Sequence, residues 1–457
     1  MKRDPFVGQI LSARCSGLSY LGLGEVHFQD KAVYVPNFYP EEEGLIKVFY
    51  KRNGQYFGEV VSLTKQSPDR IESKCPYFGR CGGCIFQDYS YQKELEHKQK
   101  LIKNQLYKIG GIDVDVLPTI GMSFQERYRN KIQLHFAKDK NNDTLLGFYE
   151  KNSHHVIPIE DCLIQDQRGT PIAKAILEAA KEFHIPVYDE NTQEGELRHL
   201  LIRTSFYKQQ ILVVLVTKDA IFPEKNSFIK KIKTSCPEIT TLVQSINKKP
   251  DNVILGNKEL VLYGPGFIYD VLCGLTFKIS ARSFYQTNPK MTEILYRKAM
   301  EFASLSGNEV VLDAYSGIGT IGLCASKNAS KVISVELVRS AVEDAKENAR
   351  INHIINFKEY QDDATHFIIE MAKRGDPLDV LFMDPPRKGS TKEFLNAVKL
   401  LQPKRIIYVS CGPSSLARDL RELANLYSIE VVQPVDLFPR TSHVEMVVLL
   451  VKREGTQ

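Results

Sequence analysis

The sequence lacks long hydrophobic runs. No stretch of its 457 residues approaches the roughly 20 apolar residues that a membrane-spanning helix needs. The first segment, MKRDPFVGQI, has no apolar core of the kind found in secretory signal peptides. Internal repeats and low-complexity segments are also lacking. We therefore expect a cytoplasmic protein that does not bind membranes.

The chain also has little excess charge of one sign. It carries 60 Lys and Arg against 55 Asp and Glu, for a net charge of +5 and a pI near 8.5. This mild basic excess permits an anionic partner but does not identify one. The nine cysteines are an odd number scattered over a long chain. In a reducing compartment they do not form a disulfide framework, so clustered cysteines point to metal binding or catalysis.

Three regions differ in their patterns, which predicts a multidomain protein. Residues 1–64 contain short alternating strands separated by turn residues, typical of a small OB-like β-barrel. Residues 65–285 begin with a Cys- and Gly-rich loop and a charged helix, then mix strands with helices as in an α+β domain. Residues 286–457 alternate strands with helices, which predicts a parallel, doubly wound, Rossmann-like α/β domain.

A glycine loop follows the first strand of the predicted α/β domain. In Asp313-Ala-Tyr-Ser-Gly-Ile-Gly319, the glycines allow a ligand to approach the backbone closely. Glu336 ends the next strand, where an acid accepts hydrogen bonds from ribose hydroxyls. Asp313 would repel a pyrophosphate but suits a cation. The loop therefore favours S-adenosylmethionine, whose methionine part is cationic, over a dinucleotide.

Two further strands end in reactive side chains at the same predicted sheet edge. Asp384 opens the segment Asp-Pro-Pro-Arg, and Cys411 follows a buried strand in Val-Ser-Cys-Gly-Pro. Glu445 opens the final strand. A cysteine thiolate, a carboxylate base and a methyl donor are what methylation of carbon 5 of uracil requires. The thiolate adds to carbon 6, carbon 5 then accepts the methyl group, and the base removes the carbon-5 proton.

The order of these motifs resembles the RNA uracil-5-methyltransferase family over nearly the whole chain. The matching segments are RSFYQTN, DAYSGIGTIGL, VELV, MDPPRKG, VSCGP and FPRTSHVE. The resemblance implies that Cys411 is the nucleophile and Glu445 the proton acceptor. It also implies that the cofactor-binding residues are Gln286, Tyr315, Glu336 and Asp384. One departure is visible, because Gly412 stands where the family usually has Asn.

The segment GLSYLGLGEVHFQDKAVYVPNFYPEE within residues 1–64 resembles the TRAM domain, a small RNA-binding barrel. This domain marks the branch of the family that often acts on ribosomal RNA. The resemblance therefore implies that the RNA partner is 23S rRNA. We expect no protein partner and a monomeric enzyme.

The cysteine-rich loop predicts a metal centre. Cys75, Cys81 and Cys84 are spaced C-x5-C-x2-C, and Cys162 follows later. Four thiolates can hold zinc or a 4Fe-4S cluster. Zinc sites usually use two close pairs, and the first interval is too wide for one. The ribosomal-RNA members of the family that the chain resembles carry a 4Fe-4S cluster on this pattern. Zinc and four unrelated thiols remain the alternatives.

Other functions remain open at this stage. A tRNA substrate is one, and methylation of an exocyclic amine is another, although Arg387 follows the prolines where such enzymes place an aromatic residue. A non-catalytic ribosome assembly factor is a third, but it would leave Cys411 and Glu445 unused. Residues 127–131 and 198–199 combine basic and aromatic side chains that could contact RNA, and Phe284 could stack on a base.

Overall fold

The computed structural model describes residues 4–250 and 253–455. Its framework consists of one six-stranded sheet, two seven-stranded sheets and a β-hairpin. Within the described ranges, no helix combines the length and apolar character needed to cross a membrane.

The first sheet is mostly antiparallel and encloses its own small core. Its strands are β1 (Ile10–Arg14), β2 (Gly17–Leu18), β3 (Gly24–Phe28), β4 (Lys31–Val35), β5 (Glu43–Arg52) and β6 (Gln55–Lys65). They lie in the order β1-β5-β6-β4-β3-β2, with β4 and β6 parallel. Val26, Val33 and Phe38 are fully buried on the inner face. Gly24 lets the backbone of Phe38 approach β3 closely, since a Cβ there would lie 2.1 Å from the carbonyl oxygen of Phe38.

A helix links this sheet to the rest of the molecule. Helix α1 (Tyr91–Gln105) confirms the predicted charged helix and continues into a π-helical turn at Leu106–Gly110. Glu94 and Lys98 on this helix are fully buried. The segment after it runs beside the C-terminal sheet, where Val116 bridges to Val432.

The central region is an α+β sandwich, as expected. Its elements are β7 (Lys131–Lys138), β8 (Thr144–Tyr149), β9 (Val156–Pro158), α2 (Gly169–Glu182), β10 (Leu197–Thr204), β11 (Ile211–Thr217), α3 (Lys225–Ser235), β12 (Thr241–Ile246) and β13 (Lys258–Tyr263). The strand order is β13-β12-β11-β10-β7-β8-β9. The two helices share one apolar core with this sheet. A hairpin follows, formed by β14 (Phe267–Leu272) and β15 (Leu275–Ser280).

The C-terminal region confirms the predicted Rossmann-like domain. Its elements are α4 (Pro289–Ala303), β16 (Val310–Ala314), α5 (Thr320–Ser326), β17 (Lys331–Glu336), α6 (Arg339–Ile351), β18 (Phe357–Gln361), α7 (Ala364–Arg374), β19 (Val380–Met383), α8 (Lys392–Leu401), β20 (Arg405–Ser410), α9 (Pro413–Leu423), β21 (Tyr427–Val435) and β22 (Glu445–Lys452). The order is β18-β17-β16-β19-β20-β22-β21. β22 is antiparallel to both of its neighbours. The apolar residues of its parallel strands are buried on both faces of the sheet, as strands covered by helices require.

Candidate active site

The glycine loop lies at the carboxyl edge of the parallel strands. Tyr315, Gly317 and Gly319 all have left-handed backbone conformations, with φ of 63°, 57° and 82°. The Gly317 N–H donates to Glu336 Oε2 at 3.0 Å, and the Val338 N–H donates to Glu336 Oε1 at 2.8 Å. Two backbone donors therefore fix the Glu336 carboxylate at the end of β17, while further lone pairs stay open to a ligand.

Asp313 is buried directly behind this loop. Its Oδ2 accepts a hydrogen bond from the Gly322 N–H at 2.8 Å, whereas Oδ1 is buried without a partner among the described residues. Burial is the main cause that raises the Asp313 pKa to about 8, and Asp384 and Glu336 add to it. Gly322 is a packing requirement, since a Cβ would lie 2.8 Å from Asp313 Oδ2. The site thus favours a cationic ligand, as the sequence suggested.

Two other predicted cofactor residues are Tyr315, which lies in the glycine loop, and Gln286, which lies just before α4. The Tyr315 hydroxyl lies 3.3 Å from Ser390 Oγ, and the Gln286 carbonyl accepts from Asn130 Nδ2 at 3.3 Å. On either side of Gln286, the Tyr285 hydroxyl and Thr287 Oγ1 are buried without a partner in the part of the chain that the structure describes. This segment joins the β14–β15 hairpin to α4.

Cys411 and Glu445 lie at the ends of two neighbouring strands. Ser410 pairs with Met446 in the antiparallel ladder between β20 and β22. The next residue outward on each strand is Cys411 on one side and Glu445 on the other. Cys411 is partly buried and Glu445 is buried. The carboxylate and the thiol therefore meet at one edge, where Asp384 also ends β19.

Burial raises the pKa of all three groups, and neighbouring carboxylates add to this for Cys411 and Glu445. Burial, then Glu445 and Asp384, raise the Cys411 pKa to about 11. Burial, then Asp384, raise the Glu445 pKa well above its usual range. Desolvation raises the Asp384 pKa to about 7. Arg387 opposes this trend, because it lowers the pKa of both Cys411 and Glu445.

Gly412 is required by space and not by its backbone conformation. Its φ of −124° and ψ of 94° are open to any residue. A Cβ there would lie 2.6 Å from Ser415 Oγ and 2.8 Å from the carbonyl oxygen of Arg387. The departure from the usual family residue is therefore coupled to the position of the Arg387 loop.

The four cysteines of the predicted cluster line one cavity of about 270 Å3. Burial raises the pKa of Cys84 to about 12 and that of Cys162 to about 11, with neighbouring thiols adding to both. Gln87 Nε2 donates to Cys84 Sγ at 3.5 Å. In the described part of the chain, no group of three or more His, Cys, Asp or Glu residues is placed to hold a metal ion.

The basic segments expected to contact RNA divide into paired and unpaired cations. Arg127 is paired with Asp161 at 2.6 Å, and Arg198 donates to the backbone carbonyls of Asn247 and Lys249. Both guanidinium groups are already engaged within the protein, and RNA contact at these two residues stays a prediction.

Arg129 and Lys131 of the first segment, and Arg203 on β10, have no carboxylate partner in the part of the chain that the structure describes, although Arg129 donates to the Lys131 carbonyl. Lys131 on β7 and Arg203 on β10 are cross-strand neighbours. Arg203 donates through Nη2 to the Ser283 carbonyl, while its Nε has no partner within the described ranges. Burial, then Arg203 and Arg129, lower the Lys131 pKa to about 8. Beside them Phe284 is 69% exposed. Buried cations that face one another favour an anionic ligand.

Sequence patterns did not identify a network of hydrogen bonds and ion pairs that joins Lys98, Glu94, Asp436 and Arg440. Lys98 Nζ lies 2.6 Å from Glu94 and 2.7 Å from Asp436, and all three side chains are buried. On a charged helix, Glu and Lys at i and i+4 look like a solvated pair. The only sequence signal for this network was the FPRTSHVE motif, which contains Arg440 but does not indicate that it contacts helix α1.

Fold and site together define an S-adenosylmethionine-dependent methyltransferase. A family model for tRNA (uracil-5-)-methyltransferases matches residues 90–453, and the chain belongs to this family of RNA uracil-5-methyltransferases. It is similar to an RNA methyltransferase of Halalkalibacterium halodurans, with 40% identity over 443 residues and 96% of each chain covered. A relative named RNA methyltransferase in Clostridium tetani is 39% identical over 436 residues, or 95% of each chain.

A solved structure is similar over almost the whole molecule. It is the Pyrococcus abyssi tRNA (uracil-54, C5)-methyltransferase in complex with S-adenosyl-L-homocysteine, with a TM-score of 0.76 and 26% identity. The match covers 96% of this chain and 100% of that one. The protein is thus an enzyme that uses S-adenosylmethionine to methylate uracil in RNA at carbon 5.

Proposed function

We propose that this enzyme methylates a uridine of 23S rRNA through a covalent adduct between Cys411 and carbon 6 of the base. The observation that carries the mechanism is the placement of Cys411 and Glu445 at adjacent strand ends, one step beyond the Ser410–Met446 pair. A thiol and a carboxylate at one sheet edge can act on the two faces of the same carbon–carbon bond.

The residues divide the reaction between them. The Cys411 thiolate adds to carbon 6, which makes carbon 5 nucleophilic, and S-adenosylmethionine supplies the methyl group. Glu445 then takes the carbon-5 proton, the 5,6 double bond forms again, and the bond between sulfur and carbon 6 breaks with its electron pair returning to Cys411. Arg387 assists both groups, because its charge favours the thiolate and the carboxylate.

The cofactor site in this proposal consists of Gln286, Tyr315, Glu336 and Asp384. What supports it is the carboxylate of Glu336, held by two backbone N–H groups beside the glycine loop. Asp384 lies between that loop and Cys411, so its charge faces the sulfonium that donates the methyl group.

We propose further that Cys75, Cys81, Cys84 and Cys162 hold a 4Fe-4S cluster. The four thiols fit this group, because they line one cavity and their burial calls for positive charge to stabilise the thiolates. Anaerobically purified protein should be brown, with about four irons per chain. Stoichiometric zinc without visible absorbance would refute the cluster.

The RNA target rests on the N-terminal region. We propose that residues 1–64 form a TRAM-like RNA-binding domain, with residues 65–285 as the central domain and residues 286–457 as the catalytic domain. The six-stranded sheet supports this division, and its exposed Phe49 and Tyr50 offer surfaces on which bases stack. Transfer RNA is the second candidate, favoured by the substrate named for the Pyrococcus enzyme.

One experiment tests the reaction and another tests the target. Release of tritium from RNA labelled at carbon 5 of uridine should accompany methylation, since only a carbon-5 enzyme expels that hydrogen. Methylation without tritium release would indicate another acceptor atom. Mapping of 5-methyluridine in ribosomal and transfer RNA from a deletion strain should show a loss in 23S rRNA, and a loss confined to tRNA would refute that target.

A further inference from the structure

Arg440 lies between the cysteine cavity and the loop that leads to Glu445. Its backbone is left-handed, with φ of 70°. Its carbonyl accepts hydrogen bonds from the N–H groups of Ile85 at 2.8 Å and Phe86 at 3.1 Å. Cys84 directly precedes Ile85, so one peptide unit separates a cavity thiol from the backbone that binds Arg440.

The guanidinium of Arg440 holds the same segment from the other side. Nη1 donates to the carbonyls of Phe86 at 3.3 Å and Tyr89 at 2.9 Å, and Nη2 donates to Gln125 Oε1 at 3.3 Å. The Arg440 N–H donates to Glu94 Oε1 at 2.9 Å. A planar fork can serve several acceptors at fixed angles, which the single ammonium of lysine cannot.

A second connection joins the other end of the cysteine set to the preceding residue. The Tyr128 hydroxyl donates to the carbonyl of Pro439 at 3.0 Å. Its neighbour Arg127 donates through Nη1 to the carbonyl of Cys162 at 2.9 Å. The backbone at residues 439 and 440 is thus bound to segments that carry two different cavity cysteines.

The turn that follows transmits this position to the catalytic edge. Thr441 Oγ1 donates to the Phe438 carbonyl at 2.8 Å and accepts from the His443 N–H at 3.2 Å. Glu445 starts β22 two residues later. With the turn closed by these bonds, a shift at Arg440 moves His443 and Glu445 as well.

We propose that Arg440 is a positioning residue that couples the cysteine cavity to the proton-removing step at Glu445. The inference rests on the proposed function. Occupation of the cavity fixes residues 84–89, and these residues hold Arg440 in place. The position of Arg440 then determines how closely Glu445 approaches carbon 5 of the uracil. The cavity therefore acts on elimination, although it lies outside the catalytic sheet, and it leaves attack by Cys411 and cofactor binding unaffected.

The test separates the two halves of the reaction in the iron-loaded enzyme. Arg440→Met should keep the wild-type iron content, S-adenosylhomocysteine affinity and rate of RNA adduct formation. Its release of tritium should fall about tenfold, a typical effect of coupling between linked residues. Arg440→Lys should recover part of the lost tritium release. The same measurements are made on this variant if Arg440→Met does not fold. Arg421→Met is the matched control, because Arg421 also donates to a backbone carbonyl, that of Ile109 at 3.2 Å.

The coupling itself is measured with Cys81→Ser, which removes one thiol of the cavity. Cys81→Ser should slow tritium release as Arg440→Met does, and the double variant should be no slower than the worse single one. Independent, multiplying effects would overturn the proposal, as would normal release by iron-loaded Arg440→Met. If the wild-type enzyme holds no iron, or if Glu445→Gln releases tritium normally, the proposed function fails as well. If the wild-type enzyme does hold iron and Glu445→Gln does lose tritium release, only the coupling is refuted.

Discussion

Arg387 Nη2 lies 3.2 Å from Nδ1 of His443, so the guanidinium donates to a neutral imidazole. Burial, then Arg387, lowers the His443 pKa, which keeps this ring uncharged. Among the described residues, Arg387 is the only cation that lowers the pKa of both Cys411 and Glu445. The Nδ1 lone pair that accepts this hydrogen bond is therefore not free to act as the base.

Loss of Arg387 should move thiolate chemistry to higher pH. Arg387 lowers a Cys411 pKa that burial and two carboxylates have raised, so Arg387→Met removes the opposing charge and raises that pKa further. We expect the pH profile of adduct formation to shift upward, with little change at high pH. Lys388→Met, at the next and equally exposed position, is the control. An unshifted profile would show that Arg387 does not act on the thiol.

Substitution of the two catalytic residues should stop the reaction at different points. Cys411→Ala should bind RNA and cofactor but form no covalent adduct. Glu445→Gln should add the thiolate and transfer the methyl group, then stall because the carbon-5 proton remains. Loss of a general base slows such a step by about 10²–10⁴-fold. Denaturing electrophoresis should show a methylated RNA–protein band for Glu445→Gln.

The control for this experiment is Glu430→Gln, which changes an exposed carboxylate on β21. It should turn over normally. Turnover of Glu445→Gln at the wild-type rate would mean that another group removes the proton.

Lys131 and Arg203, which have no carboxylate partner among the described residues, should bind RNA phosphate. Lys131→Met and Arg203→Met should each weaken RNA binding and reduce the dependence of log K on log salt by about 1. Affinity for S-adenosylhomocysteine should stay unchanged, and a parallel loss would instead place the cofactor carboxylate at these residues. Lys138→Met is the matched control on the same strand, because Lys138 is exposed and already donates to Asn142.

The usual family residue should be harmful at position 412. Gly412→Asn places a Cβ 2.6 Å from Ser415 Oγ and 2.8 Å from the Arg387 carbonyl, so the Arg387 loop must shift. A displacement of about 1 Å can cost roughly a hundredfold in rate, and we expect a fall in kcat toward that size. Ser415→Gly in the same chain should restore part of it. Unchanged kcat in Gly412→Asn would show that this loop yields without consequence.

Sequence patterns predicted the C-terminal sheet well because its strands are buried on both faces. The runs ending at Asp313, Glu336 and Asp384 could be placed at one edge from alternation alone. The antiparallel insertion of β22 between β20 and β21 could not be read from periodicity, since an apolar run looks the same in either direction. The family resemblance, and not the pattern, brought Glu445 to Cys411.

Residues whose role depends on distant partners could not be predicted. Lys98 has the sequence context of a solvated helix position, yet it is fully buried because α1 packs on the C-terminal region. Gly412 looked like a turn residue, and only the positions of Ser415 and Arg387 reveal the steric reason for it. Arg198 and Arg127 looked basic and accessible, but their carbonyl and carboxylate partners lie 34 or more residues away.

The placement of β22 bears on how the enzyme is made by the ribosome. β20 is complete at Ser410, but β22, which pairs with it in the sheet, is synthesised only after α9 and β21. A nascent chain that has emerged only as far as β21 therefore carries the thiol at an unfinished sheet edge, without its carboxylate. Such a chain cannot release a base that it has attacked. Arrival of β22 completes the sheet and the means of product release in the same folding event.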